Sequence, residues 1–233
     1  MKLFINAGGK GTRLYPLTKN IPKGMITLAG KPILHHIIDW GKKNEINEIV
    51  IMSGYLADNI TNYFKDGKEF GVKITHSIEQ KPLGTGGAIK FAEKHINDTF
   101  AYINGDQICT VNLKKMLAFH REHNAMITAF TEDKNISEAD TLEVDTEGKV
   151  TDFITKFDPS IRGRLVNRGL CIIEPKILEL MDKEEFNFEN DMYPKIIKRG
   201  WKLMAYTSGE DMINIESLEQ LKQCEKYLLR KIK

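Results

Sequence analysis

Near its start the chain reads INAGGKGTRLYPLT, from Ile5 to Thr18. Gly8, Gly9 and Gly11 leave backbone N–H groups uncovered, and such groups can turn together toward the oxygens of an anion. Arg13 adds a planar fork of donors matched to phosphate, and Lys23 adds a point charge. The stretch is not a Walker A loop, because Gly11 is followed by Thr12 and Arg13, and the G-x-G-x-x-G dinucleotide spacing is absent. Alone, it reads as a phosphate-gripping loop or as a glycine-rich turn with solvated cations. A second such stretch, SIEQKPLGTGGAIKFA, has Gly84, Gly86 and Gly87 for close approach by a flat ligand. Thr85 is placed there to cap the following helix. Asp106, in AYINGDQI, ends an apolar run, where a carboxylate serves as a turn residue or as a ligand for a divalent cation. Lys156, in DFITKF, reads by itself as a solvated lysine on a strand. The six histidines form no catalytic constellation, and no G-x-S-x-G element is present.

The elements that must position these residues follow from hydrophobic patterning. KLFINA, EIVIMSG, VKITHSI, FAYINGD and AMITAFT read as buried strands. Between them lie helical patterns: PILHHIIDWGKKN, ADNITNYFKD, TGGAIKFAEKHI and NLKKMLAFHREH. That alternation predicts an α/β fold with a doubly wound, mostly parallel, Rossmann-like sheet, its sites at the carboxyl ends of strands. After about residue 133 the rhythm changes. TLEVDTEGKVTDFITKF reads as a hairpin and RLVNRGLCIIEP as a strand. ILELMDKE and NDMYPKIIKRG read as helices, WKLMAYTS as a strand, and SLEQLKQCEKYLLRKI as a closing amphipathic helix. The expectation is one domain over 1–233, with a first half over 1–133 and a small mixed β/α lobe over 134–233.

Composition narrows the function classes. The 233 residues carry 34 basic and 32 acidic side chains, a net charge of +2, so there is no electrostatic case for nucleic acid or a membrane surface as partner. Three scattered cysteines make no disulfide framework and no zinc spacing, which fits a reduced, cytoplasmic setting. The first residues are too short an apolar stretch for a signal peptide, and no run approaches membrane-spanning length. The sequence is silent on oligomeric state.

In order along nearly the whole chain, AGGKGTRLYPLT, IPKGMITLAGKPILHHII, EQKPLGTGGAI, INGD, VTDFITK and VNRGLCIIEP resemble the motifs of the sugar-1-phosphate nucleotidyltransferases. Among these the motifs are most similar to mannose- and D-glycero-D-manno-heptose-1-phosphate guanylyltransferases. The resemblance implies that Gly8, Gly9, Gly11 and Thr12 hold an NTP triphosphate while Arg13 and Lys23 neutralise the leaving pyrophosphate. It gives Glu79 the edge of the base, with Gly84 and Thr85 packing against the nucleotide. An ionised glutamate only accepts, which suits guanine's adjacent N1–H and amino donors. Gln80 stands next to it as an amide alternative. Asp106 is implied as a Mg²⁺ ligand, with Asn214 where the family carries a second aspartate and Asp211 as the fallback. Lys156 is implied to hold the acceptor phosphate, and Asn167 and Gly169 to line the sugar pocket.

The chain departs from the family pattern at several points. Asn6 stands at a usually small apolar position, and Gly24 follows Lys23 where proline is commoner. Thr155 replaces a glutamate, Phe157 a proline, and Glu216 a glycine. The implied activity is Mg²⁺-dependent nucleotidyl transfer from an NTP, GTP favoured, to a mannose or manno-heptose 1-phosphate, supplying capsule or lipopolysaccharide assembly. A cytidylyltransferase acting on phosphocholine or another small phosphorylated alcohol is the alternative on the same fold. A non-catalytic nucleotide-sugar-binding relative is the alternative of another class.

Overall fold

The structure, a computed structural model, describes residues 1–133, 139–155 and 165–232. In chain order the elements are β1 (Lys2–Ala7), β2 (Thr27–Leu28), β3 (Lys31–Pro32), α1 (Ile33–Lys43), β4 (Glu48–Ser53), α2 (Ala57–Phe64) and β5 (Lys73–Ile78). Next come α3 (Gly84–Phe91), β6 (Phe100–Asn104), β7 (Gln107–Cys109), α4 (Leu113–Glu122), β8 (Ile127–Glu132), β9 (Thr141–Val144) and β10 (Val150–Ile154). The last are β11 (Leu165–Ile173), α5 (Phe188–Lys198), β12 (Leu203–Thr207), β13 (Met212–Asn214) and α6 (Leu218–Ile232). They divide into two compact units, one of Met1–Pro82, Ile103–Val111 and Glu210–Lys233, the other of Leu83–Tyr102 and Asn112–Gly209.

The first unit holds parallel strands. β1 pairs with β4 in register Leu3↔Ile49, and β4 pairs with β5 in register Ile49↔Ile74. β1 and β4 are largely apolar runs because a parallel strand inside a sheet is covered on both faces. Leu3, Phe4 and Ile5 are accordingly fully buried. α1 buries Ile33, Leu34, Ile37, Ile38 and Trp40 and packs against β7. The Trp40 indole N–H donates to the Val111 carbonyl at 2.9 Å, which satisfies its one polar atom in the core. A small antiparallel ladder joins β7 to β13, with Gln107 opposite Asn214 and Cys109 opposite Met212. Neither of these three-residue strands is long enough to show a period in the sequence.

The second unit is a mixed sheet in the order β10-β9-β11-β8-β12. Only the β12–β8 pair is parallel. α4 packs on β8, β11 and β12, and α5 on β10 and β12. Asn112 caps α4 and Asn187 caps α5, each side-chain oxygen accepting from the backbone three residues on. His120, on α4, is a satisfied core residue, its ring nitrogens 2.8 Å from Thr128 Oγ1 and 3.0 Å from Glu174 Oε1. Burial holds its pKa below the usual imidazole value, against the pull of Glu174. Two expected helices differ in form. ILELMDKE contributes to a 3₁₀ segment, Pro175–Leu180, and the segment after Gly84 stops at Phe91 before a 3₁₀ turn over Glu93–His95. Among the described residues, no helix is long and apolar enough to cross a membrane.

Candidate functional site

In the first unit the strands deliver their loops to one edge. Gly8 follows β1, Gly54 follows β4 and Glu79 follows β5, so the three stand at the carboxyl ends of adjacent parallel strands. Glu79 lies across both glycines. A Cβ on Gly8 would be 2.7 Å from its Oε1, and one on Gly54 2.7 Å from its Cγ. The Glu79 backbone N–H donates to the Ser53 carbonyl at 2.8 Å, which fixes the start of the side chain. By contrast, none of the described residues beyond its chain neighbours lies within 4 Å of the space a Gly9 side chain would take.

Gly11 carries the turn of the loop. Its φ of +61° lies in the left-handed region, which a residue without Cβ enters at no steric cost. The chain then makes a 3₁₀ turn, Thr12–Leu14, anchored by fully buried Leu14, while Thr12 and Arg13 remain exposed. Thr18 donates its hydroxyl to the Gly11 carbonyl at 2.8 Å and holds the loop from beneath. Lys23 comes close, its Cβ 3.0 Å from the position a Gly11 Cβ would occupy. Gly24 beside it has a packing reason. A Cβ there would meet Leu34 Cγ at 2.6 Å and the Gly105 carbonyl at 3.1 Å, so the missing side chain lets the Lys23 turn close onto Gly105-Asp106.

The result is an ion pair, Lys23 Nζ to Asp106 Oδ2 at 2.5 Å, with both side chains largely covered. Asp106 is tied in turn to the β13 segment. Its carbonyl accepts from the Ile215 N–H at 2.9 Å, and Gln107 Nε2 donates to Asn214 Oδ1 at 2.9 Å. An amide oxygen has two lone pairs, so the bond from Gln107 orients Asn214 and leaves it able to ligate. Asp211 sits at the opposite end of this ladder beside Thr110, its Oδ2 accepting from Tyr227 at 2.6 Å. Of the two expected second ligands, Asn214 is the one beside Asp106. Arg13 Nη1 pairs with Glu216 Oε2 at 2.6 Å, a contact the sequence reading left unassigned. Its only sequence signal is a glutamate where the motif carries glycine.

Gly84 and Thr85 belong to the second unit, and their surroundings correct one expectation, the helix cap at Thr85. On the side where a Cβ would stand, the neighbours of this glycine cluster come from the protein itself. A Cβ on Gly86 would be 2.1 Å from Phe186 Cε2, and one on Gly84 2.4 Å from the Phe186 carbonyl. Thr85 does not cap its own helix. Its hydroxyl accepts from the Phe188 N–H at 2.7 Å, at the first residue of α5. It also lies 3.5 Å from Glu189 Oε2, a buried carboxyl whose pKa burial pushes up, with Asp140 adding to the rise.

Asn167 and Gly169 stand in β11 where its register with β8 breaks between Asn167 and Cys171. Gly169 has φ +71°, and Asn167 Oδ1 is buried without a hydrogen-bond partner among the described residues. Arg168 between them faces Glu132, Nε to Oε2 3.2 Å, with both side chains at least nine-tenths buried. Lys156 lies outside the described residues.

Among the expected metal residues, the β7–β13 ladder sets Asn214 opposite Gln107, the residue after Asp106. Among the described residues no three His, Cys, Asp or Glu groups gather as a metal cage. One carboxylate and one amide oxygen fit a hard cation such as Mg²⁺, which keeps waters and takes the rest of its shell from substrate phosphates.

Residues 2–220 match the family model described as nucleotidyl transferase. The chain is 30% identical, over 92% of its length, to a UTP–glucose-1-phosphate uridylyltransferase of Synechocystis, and covers 60% of that protein. It is likewise 30% identical, over 84% of its length, to mannose-1-phosphate guanyltransferase 2 of Candida glabrata, covering 56% of it. The chain thus spans a little over half the length of these curated relatives. The crystal structure of HddC from Yersinia pseudotuberculosis complexed with GMP-PN superposes with a TM-score of 0.83 at 30% identity, over 97% of this chain and 99% of that one.

Proposed function

The chain belongs to the nucleotidyl transferase family, and on that premise we propose that it transfers a nucleotidyl group from GTP to mannose 1-phosphate or a manno-heptose 1-phosphate. The products are the nucleotide sugar and pyrophosphate. The observation that carries this reading is the Lys23–Asp106–Asn214 cluster beside the Gly8–Arg13 loop, all in one unit. GTP is favoured by Glu79, whose carboxylate lies over Gly8 and Gly54 and can accept from both donors of a guanine edge. The GMP-PN complex of HddC supports the same choice of base.

In this reading an oxygen of the sugar 1-phosphate attacks the α-phosphorus in line. The new P–O bond forms as the bond to the β-phosphate oxygen breaks, and pyrophosphate leaves with that electron pair. Backbone N–H groups of the Gly8–Gly11 loop orient the triphosphate. Arg13 and Lys23 take up the charge gathering on the leaving oxygens. Asp106 and Asn214 would hold Mg²⁺, which supplies Lewis-acid stabilisation of the phosphoryl oxygens. Asn167, with its buried unpaired amide oxygen, is proposed to accept from an acceptor hydroxyl, and Gly169 and Lys156 to complete that subsite. The three cysteines are free and buried, which supports a reducing, cytoplasmic setting.

The test is pyrophosphate release with Mg²⁺, across the four NTPs and a panel of mannose, glucose and manno-heptose 1-phosphates plus phosphocholine. Release with GTP and a manno-configured acceptor is expected. Release with CTP and phosphocholine instead would overturn the donor and acceptor proposed.

A further inference from the structure

Both cations proposed to meet the triphosphate already have carboxylate partners. Lys23 pairs with Asp106 at 2.5 Å, and Arg13 pairs with Glu216 at 2.6 Å. The two pairs differ in exposure. Lys23 is 14% exposed, whereas Arg13 is 71% and Glu216 37% exposed. Glu216 is nonetheless not a loose side chain. It directly follows Ile215, whose N–H binds the Asp106 carbonyl. Its own N–H donates to Gln220 Oε1 at 2.7 Å, and the Gln220 N–H reaches Ser217 Oγ at 3.2 Å, so the start of α6 fixes it. The segment that presents Asn214 thus also holds the guanidinium of the glycine-rich loop.

We propose that Glu216 is a positioning residue that holds Arg13 in the nucleotide-free protein and yields it to the β- and γ-phosphates of the incoming donor. Donor binding is then an exchange of partners. This inference rests on the nucleotidyl-transfer reading and adds a residue to it. A carboxylate and a polyphosphate compete for the same guanidinium N–H donors, and the ligand with more charge within reach wins. A nucleoside monophosphate lacks the groups that would displace Glu216, so the exchange selects for triphosphate. The cost of breaking an exposed pair is small, so Glu216 tunes affinity without blocking the site.

Equilibrium titration of the full chain, without metal and at low ionic strength, tests this with GTP, GMP and inorganic triphosphate. Glu216→Gln is nearly isosteric and partly exposed, so the fold is retained. It should tighten GTP and inorganic triphosphate by about 1.5- to 5-fold and leave GMP unchanged. The gain should shrink at high salt, because exposed charges are screened. In an Arg13→Gln background the Glu216 substitution should have no further effect. Unchanged or weaker GTP binding in Glu216→Gln overturns the exchange, as does an equal gain in the Arg13→Gln background. A wild-type protein that binds neither GTP nor inorganic triphosphate overturns the nucleotidyl-transfer reading itself, and the exchange with it.

Discussion

Two glycine-rich loops, Gly8–Gly11 and Gly84–Gly87, look alike in sequence and do different things in the fold. At the first, Gly9 has nothing among the described residues within 4 Å where a side chain would stand, and a Cβ on Gly8 would meet the Glu79 carboxylate first, with the Gly54 backbone nitrogen at 3.8 Å. At the second, the equivalent space is filled by the ring and backbone of Phe186 and by the Glu184 carbonyl. A run of glycines reports that something approaches the backbone closely. It does not report what. In the first loop the side-chain space at Gly9 is open among the described residues, whereas in the second the protein's own chain fills the space at Gly84, Gly86 and Gly87. The surroundings follow the same division. Lys23, Asp106, Arg13 and Glu216 gather by the first loop, while the second is flanked by Thr85 bonding to α5 and by the buried Glu189.

The largest expected effect lies with the first loop's neighbours. Asp106→Asn should lower turnover by about a thousandfold, since several kcal/mol of charge stabilisation depend on that carboxylate. Its melting temperature should barely move, because an amide oxygen still accepts from Lys23. Turnover near wild type would remove Asp106 from the chemistry. The second loop should answer in stability. Gly86→Ala drives a methyl into buried Phe186 and should lower the melting temperature by roughly 2–12 °C, from an overpacking cost of about 1–3 kcal/mol. Adding Phe186→Leu should recover part of that loss. An unchanged melting temperature for Gly86→Ala would break the contrast between the loops. Glu79→Gln is the finer probe. Losing one charged acceptor should erode the preference for GTP over other NTPs by about tenfold, and an unchanged ranking would place the base elsewhere.

Much of this arrangement was legible in the sequence, and the parts that were not share a cause. Long patterns such as KLFINA and NLKKMLAFHREH formed where their periodicity placed them, whereas ILELMDKE became 3₁₀ and the helix begun at Gly84 stopped at Phe91. The β7–β13 ladder did not announce itself, because QIC and MIN are too short for a period and pair across a hundred residues of chain. Yet that ladder is what sets Asn214 beside Asp106. Thr85 was misread for a related reason. Local preference gives it to the helix it begins, but a backbone donor at Phe188 competes and wins. Gly24 and Glu216 stood out only as departures from a motif. Their reasons, contact with Leu34 and the pair with Arg13, are three-dimensional.

The most direct test of the claim that the first loop holds the donor is the GTP affinity of Gly9→Ala, read beside its melting temperature. The open space around Gly9 predicts an unchanged melting temperature, and a methyl placed where phosphate oxygens approach should weaken GTP by at least about tenfold. A variant that binds GTP like the wild type would show that the triphosphate lies elsewhere.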